Sequence, residues 1–333
     1  MAKLKVGFIG SGGMAKAHIG PVKAIQNVEV AAFCDVMLSH AESMVQEHGG
    51  KAFATPKEMF EAVKLDAVFI LLPPFAHGDA EMEAIKHGVP FFVEKPISND
   101  LGLSREIAAE TEKVRLITCA GYMNRYRKSI NRARELLQAD PAVLVYGGWI
   151  GGSPRPASGE FIGSWWTIKA KSGGQIVEQC THTFDIVRYL CGEAVEVFAH
   201  AAVGFNPRVP GYDIDDASTV NIKLKSGGVV NLMSCCASNA GGGVTLTVHA
   251  KQTTCVFTGW EHSVTIHRAG KKPEEIKGEG DIFAVEDKAF LKAVRTGDAS
   301  PIRSSYADAV KTLEWTLAAN KSIETGKPVA IEG

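Results

Sequence analysis

The stretch Leu4-Lys5-Val6-Gly7-Phe8-Ile9-Gly10-Ser11-Gly12-Gly13-Met14-Ala15 decides the fold. Its first half is an apolar run of strand length. Its second half is G-x-G-x-x-A, and a helical pattern continues from Met14 through His18 towards Ile25. Gly10 allows the tight turn, Gly12 lets backbone amides approach a pyrophosphate, and Ala15 permits close helix–strand packing. Ser11, Gly13 and Met14 complete the turn, and the helix N-terminus that follows favours an anion. Such a motif alone is a weak signal, but its context is present. Val28-Glu29-Val30-Ala31-Ala32-Phe33-Cys34 reads as a second strand ending in Asp35, 20 residues after Ala15. A carboxylate there accepts hydrogen bonds from the adenosine ribose hydroxyls and repels a 2′-phosphate. Val36-Met37-Leu38 offers no arginine to reverse that preference, so NAD is expected over NADP. The plain alternative for Asp35 is a turn residue.

Outward from this turn the alternation continues. Residues 40–47 and 56–63 read as helices, 66–72 as a buried strand ending in Pro73-Pro74, and 78–87 as a helix. Next comes Pro90-Phe91-Phe92-Val93-Glu94-Lys95-Pro96-Ile97, a buried strand that delivers Glu94 and Lys95 at its carboxyl end. Open α/β sheets hold their ligands there, and proline stops the strand from continuing. Residues 103–113 then read as a helix and 116–121 as a last strand. Strands alternating with helices specify a doubly wound parallel sheet, expected to end near residue 121. His77 follows the Pro-Pro turn at a strand's carboxyl end. It either contacts the cofactor near the nicotinamide or holds local backbone at a helix start.

The bulk numbers exclude several classes. A net charge of −1 over 333 residues gives no electrostatic pull towards nucleic acid or an anionic membrane. No apolar run approaches the roughly 20 residues of a membrane span. The seven cysteines show no paired CxxC spacing and read as free thiols in a reducing compartment. The first residues lack the pattern of a secretory leader, and the expected location is the cytoplasm. The ten histidines are scattered rather than clustered as metal ligands.

The second half changes character. Residues 143–150, 195–203, 217–224, 228–235, 244–250, 253–258 and 263–267 read as strands, several alternating apolar with polar residues. That suits an open-faced, mostly antiparallel sheet with one face covered by its own chain. The domains expected are thus 1–121, a dinucleotide-binding Rossmann domain, and 122–333, an α+β domain for substrate binding and oligomerisation. The open face implies a homodimer or homotetramer built through it. Helices over 282–296 and 306–323 close the chain.

One segment departs from this β pattern. Residues 173–190 read as a single helix opening after Gly173-Gly174, on which Glu178, His182 and Asp185 share a face. Three readings compete: a metal site, which lacks any recognisable third ligand; an exposed structural stripe; and a catalytic face with His182 as acid/base near neutral pH.

Together these stretches resemble the Gfo/Idh/MocA oxidoreductase family, named for glucose–fructose oxidoreductase and inositol dehydrogenase. The resemblance rests on the Gly10–Ala15 turn, Pro73-Pro74 with His77, Glu94-Lys95-Pro96, residues 121–126 and GG-x₇-H-x₂-D over 173–185. It implies an N-terminal Rossmann domain, a C-terminal α/β domain on a large sheet, and Lys95 as the essential lysine before a cis proline. It further implies His182 as the catalytic histidine, Asp185 as the acid supporting it, and Glu178 where many relatives carry aspartate. Trp165, Trp166 and Lys169 could then supply a stacking wall and a polar contact for a sugar ring, with Tyr122 and Arg125 also on the substrate side. The reaction implied is NAD-dependent hydride transfer at a secondary alcohol of a sugar or cyclitol. His182 takes the hydroxyl proton, the Lys95 ammonium stabilises developing alkoxide charge, and Glu94 orients Lys95. The rival readings are an NAD-dependent glycosidase using transient oxidation and a non-catalytic dinucleotide sensor.

Overall fold

A computed structural model describes residues 3–153, 165–206 and 211–332. The chain forms two compact units, Met1–Met123 with Asp281–Val310, and Asn124–Gly280 with Lys311–Gly333.

In the first unit, strands β1 (Leu4–Ile9), β2 (Val28–Cys34), β3 (Lys51–Phe53), β4 (Ala67–Ile70), β5 (Phe91–Val93) and β6 (Thr118–Ala120) make one sheet in the order β3-β2-β1-β4-β5-β6. Every pairing is parallel. The order reverses between β1 and β4, and the carboxyl ends of these two strands are the switch point at which such sheets bind dinucleotides. β5 lies next to β4, so Lys95 leaves the sheet one strand away from that point. Helices α1 (Gly13–Ala24), α2 (Leu38–His48), α3 (Pro56–Ala62), α4 (Asp79–Lys86) and α5 (Leu101–Lys113) supply the crossovers. A stack of rings fills the core: Phe8 and Phe69 lie 5.2 Å apart, and Phe69 and Phe92 5.0 Å. Burying each of these side chains is worth about 2–3 kcal/mol in transfer free energy.

Two features differ from the expectation. β3 is an added edge strand of three residues, too short to show a period. The helix Ile282–Thr296, expected in a continuous second domain over 122–333, packs in the first unit against α1. Phe290 and Leu291 explain why, since both are buried in the phenylalanine core.

In the second unit, after α6 (Lys128–Ala139), strands β7 (Ala142–Ile150), β8 (Ala194–Ala202), β9 (Ala217–Leu224), β10 (Val229–Cys235), β11 (Gly243–Ala250), β12 (Thr253–Thr258), β13 (Ser263–Arg268), β14 (Glu274–Ile276) and β15 (Val329–Ala330) form a sheet. Among the described residues its order is β14-β13-β12-β11-β7-β10-β9-β8-β15, and β7–β10 is a parallel pair in an otherwise antiparallel ladder. Val220, Ile222 and Leu224 on β9, with Val230 and Leu232 on β10, point into a core closed by Ile130 and Ala133 of α6, Phe184, Val187 and Trp315. On the other face Leu144, Tyr146 and Val229 are exposed. The period of two therefore reads correctly as one covered and one open face.

The helix expected over 173–190 is broken. Helical residues run Gly174–Glu178 and then Thr181–Cys191. The Gln175 carbonyl accepts from both Gln179 N at 3.0 Å and Cys180 N at 2.9 Å, the second bond spanning five residues. This widened turn resets the angular count between Glu178 and His182, so the shared-face argument for that pair does not carry across it.

Candidate active site

At the first unit's switch point, Gly10 has φ +91, and a Cβ there would sit 2.4 Å from the Leu71 carbonyl oxygen. Only glycine permits this approach of β1 to the end of β4. Asp35 braces the turn from β2: its Oδ2 accepts from Ser11 N at 2.9 Å and its Oδ1 from Met37 N at 2.9 Å. The Ser11 amide thus serves the loop rather than an anion. The Ser11 hydroxyl, in contrast, is buried without a hydrogen-bond partner. A Cβ added at Gly12 or Gly13 would meet nothing, and α1 starts with neither a side-chain cap nor an acidic residue in its first turn. An open, uncapped helix start with an unsatisfied hydroxyl fits a bound pyrophosphate. Met14 is half-buried and Ala15 fully buried, as close helix–strand packing demands.

Glu94 is 3% exposed and turns inward. Its Oε2 accepts from the Lys95 amide at 3.0 Å, and its Oε1 lies 3.1 Å from His18 Nε2. Glu94, expected to orient Lys95 and counted among the cofactor contacts, thus holds the lysine through its backbone amide. The Lys95–Pro96 peptide is cis. His77 also proves local. Its Nδ1 lies 2.6 Å from Glu81 Oε1 and its Nε2 3.1 Å from the Leu72 carbonyl, while Glu81 Oε2 accepts from Gly78 N at 2.8 Å. Both ring nitrogens are thus engaged beside the start of α4, the arrangement that the helix-start reading describes. Pro73 precedes the 3-10 turn Pro74–Ala76 in extended conformation. Tyr122, expected on the substrate side, is 1% exposed and has almost no surface to offer.

In the second unit, His182 is 6% exposed and meets the Trp260 ring edge-on at 5.7 Å. Asp185 is not its partner. The Asp185 carboxylate, 1% exposed, accepts from Arg125 Nε at 2.8 Å and Nη2 at 2.6 Å, and from Thr312 Oγ1 at 3.0 Å. A bidentate guanidinium outcompetes an imidazole for a buried carboxylate, because two parallel charge-assisted bonds satisfy both oxygens. Asp185 therefore anchors Arg125, whose guanidinium also stacks 4.8 Å above the Tyr189 ring. Glu178 Oε2 accepts from Trp166 Nε1 at 2.7 Å, an orienting bond invisible in the sequence. The Lys169 ammonium, expected as a polar contact for substrate, lies 3.6 Å from Asp215 Oδ2 and 3.9 Å from Glu324 Oε1. Trp165 is half-buried beside Trp166.

Sequence reasoning missed His18, Asp287 and Trp260. His18 sits on the apolar face of α1, where a lone histidine reads as core. Among the described residues no group of three or more His, Cys, Asp or Glu could hold a metal ion, and no helix is long and apolar enough to cross a membrane.

Comparison with known proteins agrees with this geometry. Residues 4–122 match the oxidoreductase family's NAD-binding Rossmann fold, and residues 150–331 match that family's C-terminal alpha/beta domain. The chain belongs to the Gfo/Idh/MocA oxidoreductase family, and NAD is its cofactor. It is 27% identical to scyllo-inositol 2-dehydrogenase (NAD(+)) of Bacillus subtilis, over 93% of this chain and 91% of that one. With Myo-inositol 2-dehydrogenase of Thermotoga maritima it shares 24% identity over 99% of each. The structure of levoglucosan dehydrogenase with NADH and levoglucosan shares the fold at a TM-score of 0.86 and 17% identity, covering 99% of this chain and 100% of that one.

Proposed function

We propose that the protein oxidises a secondary alcohol of a sugar, sugar derivative or cyclitol with NAD, or catalyses the reverse reduction. The observation that carries this reading is Lys95, held by its own amide at the carboxyl end of β5, one strand from the dinucleotide switch point. Relatives named as inositol dehydrogenases give the substrate class.

In this reading the turn over residues 10–15 holds the pyrophosphate and Asp35 the adenosine ribose. NAD, when bound, supplies the hydride acceptor. The Lys95 ammonium donates a hydrogen bond to the substrate oxygen and lowers the cost of alkoxide character. His182 takes the hydroxyl proton as the carbon gives up its hydride, leaving a ketone. A ring nitrogen suits that step near neutral pH. Glu178, oriented by the Trp166 indole, accepts hydrogen bonds from neighbouring hydroxyls. The first domain serves the cofactor and the second the substrate, with residues 281–310 returning to the first. The exposed residues Leu144, Tyr146 and Val229 suit self-association through the open sheet face, giving a homodimer or homotetramer. The cysteines suit a cytoplasmic location.

Incubation with NAD and a panel of cyclitols, aldoses, anhydrosugars and glycosides tests the reading. Net NADH formation from a free polyol or sugar is expected. Aglycone release without net NADH would instead mark a glycosidase that regenerates its cofactor.

A further inference from the structure

One buried charged cluster in the first unit has no part in the proposed chemistry. His18 is fully buried on α1. Its Nδ1 lies 2.7 Å from Asp287 Oδ1 and its Nε2 3.1 Å from Glu94 Oε1. The two carboxylates come from different elements, Asp287 from the helix Ile282–Thr296 and Glu94 from the end of β5. Phe69, Phe92 and Phe283 enclose the ring at 5.8, 5.1 and 5.2 Å, so it cannot turn out to water. Glu94 passes the restraint on, because its second oxygen holds the Lys95 amide. The facing chain makes room for that carboxylate: a Cβ on Gly121 would lie 2.8 Å from Glu94 Oε1. The result is one continuous link, Asp287–His18–Glu94–Lys95, joining residues 269 apart at its first contact.

We propose that His18 and Asp287 are positioning residues for Lys95, holding the Glu94 carboxylate against the lysine's amide so that the ammonium is presented in one fixed place. The proposal rests on the reading of Lys95 given above. Both neighbours of the ring are carboxyl groups. Burial raises the pKa of Asp287, but a doubly protonated ring donates to both and keeps both ionised, and in the proposed link the imidazole is positively charged. Without that charge two buried carboxylates would face each other unshielded, and one would protonate or leave its place. Either outcome weakens the bond that anchors Lys95. The groups acting on the ring are Asp287 from the helix and Glu94 from the strand end, with Lys95 next in the chain and Asp281 acting on Asp287. Burial alone would lower the ring's pKa, but the bonds to Asp287 and Glu94 outweigh it and push the value up to about 10. The link therefore stays charged throughout the neutral range. It is a brace that holds across the neutral range rather than a neutral-pH switch.

The test uses Asp287→Asn, which keeps the volume and an oxygen to accept from the ring, together with His18→Gln. Trace acetylation followed by mass spectrometry reads the reactivity of Lys95 against every other lysine, independently of turnover. The expected result is that Lys95 labelling changes at least about threefold in either variant while the other lysines do not move. In the same folded variants kcat falls roughly a hundredfold with KM and NAD affinity nearly unchanged, the cost of misplacing a reacting group. Unaltered Lys95 labelling and near-normal kcat in a variant whose Tm has dropped would reduce the cluster to a packing staple and overturn the proposal. Nitrogen-15 spectra of the wild-type ring at mildly alkaline pH give a check that needs no variant. A doubly protonated ring is expected, and a neutral one would also overturn it. If no polyol is oxidised by the wild type, the dehydrogenase reading fails, and labelling with the ring spectra still decides this one.

Discussion

Two buried ion clusters sit behind the residues proposed to act on substrate, and they are built differently. In the first unit a histidine lies between two carboxylates, Asp287 and Glu94, beneath Lys95. In the second unit an arginine grips one carboxylate, Arg125 on Asp185, which lies on the helix that also carries His182. The arginine pair is satisfied at any ordinary pH, because a guanidinium does not give up its proton in proteins. The histidine cluster depends on a cation that can lose its charge. The first unit's brace is therefore conditional, whereas the second unit's is not.

The largest expected effect falls on the residue that the first brace supports. Lys95→Ala lowers kcat by about a thousandfold or more, the scale of losing a preorganised charge at a developing alkoxide. Calorimetric titration finds NAD affinity little changed, since the turn over residues 10–15 is untouched. Loss of NAD binding in that variant would move Lys95 from the reaction to the cofactor. The comparison predicts next that Asp185→Ala destabilises the fold by about 3–5 kcal/mol, because it strands a buried guanidinium. Urea unfolding measures this. If Asp185 instead served His182, the variant would keep its stability and lose turnover.

Alkaline pH separates the two clusters more finely. His18 has its pKa raised from 6.5 to about 10, so its contribution is fully present below 6.5 and disappears as pH rises through about 10. Between those limits the unfolded chain has released a proton that the folded chain retains. This cluster thus removes about 1.4 kcal/mol of stability per pH unit over that range. Unfolding midpoints of the wild type should fall accordingly, with a flatter profile in His18→Gln and an unchanged slope in Asp185→Asn. The smallest effect concerns the Trp166–Glu178 bond. Trp166→Phe removes one hydrogen bond to a charged group, worth about 1.5–3 kcal/mol at most, and should raise KM for substrate more than it lowers kcat. An unchanged KM would take Glu178 out of substrate binding.

The same contrast marks how far the sequence could be read. The βα turn was legible because its demands are local: Gly10 must adopt a positive φ against the Leu71 carbonyl, and no other residue type does so without strain. The open-faced sheet was legible because a period of two maps directly onto two faces. The break at Gln179–Cys180 was not, since the apolar pattern runs through it and the five-residue hydrogen bond leaves no compositional trace. The carboxylate partners were hidden for another reason. Asp185 stands one helical turn from His182, yet it chooses Arg125, 60 residues away in sequence. Asp287 reaches His18 only because Phe290 and Leu291 carry their helix into the first unit's core. Local spacing reports neither choice.

Transfer of a labelled hydride tests the central claim most directly. A cyclitol or sugar found active in the panel, carrying deuterium on its carbinol carbon, is oxidised with NAD and the NADH is weighed. The account predicts NADH carrying that deuterium with the wild-type protein, formed more slowly by about a thousandfold or more with Lys95→Ala. Unlabelled NADH, or equal deuterium transfer by the lysine variant, would contradict it.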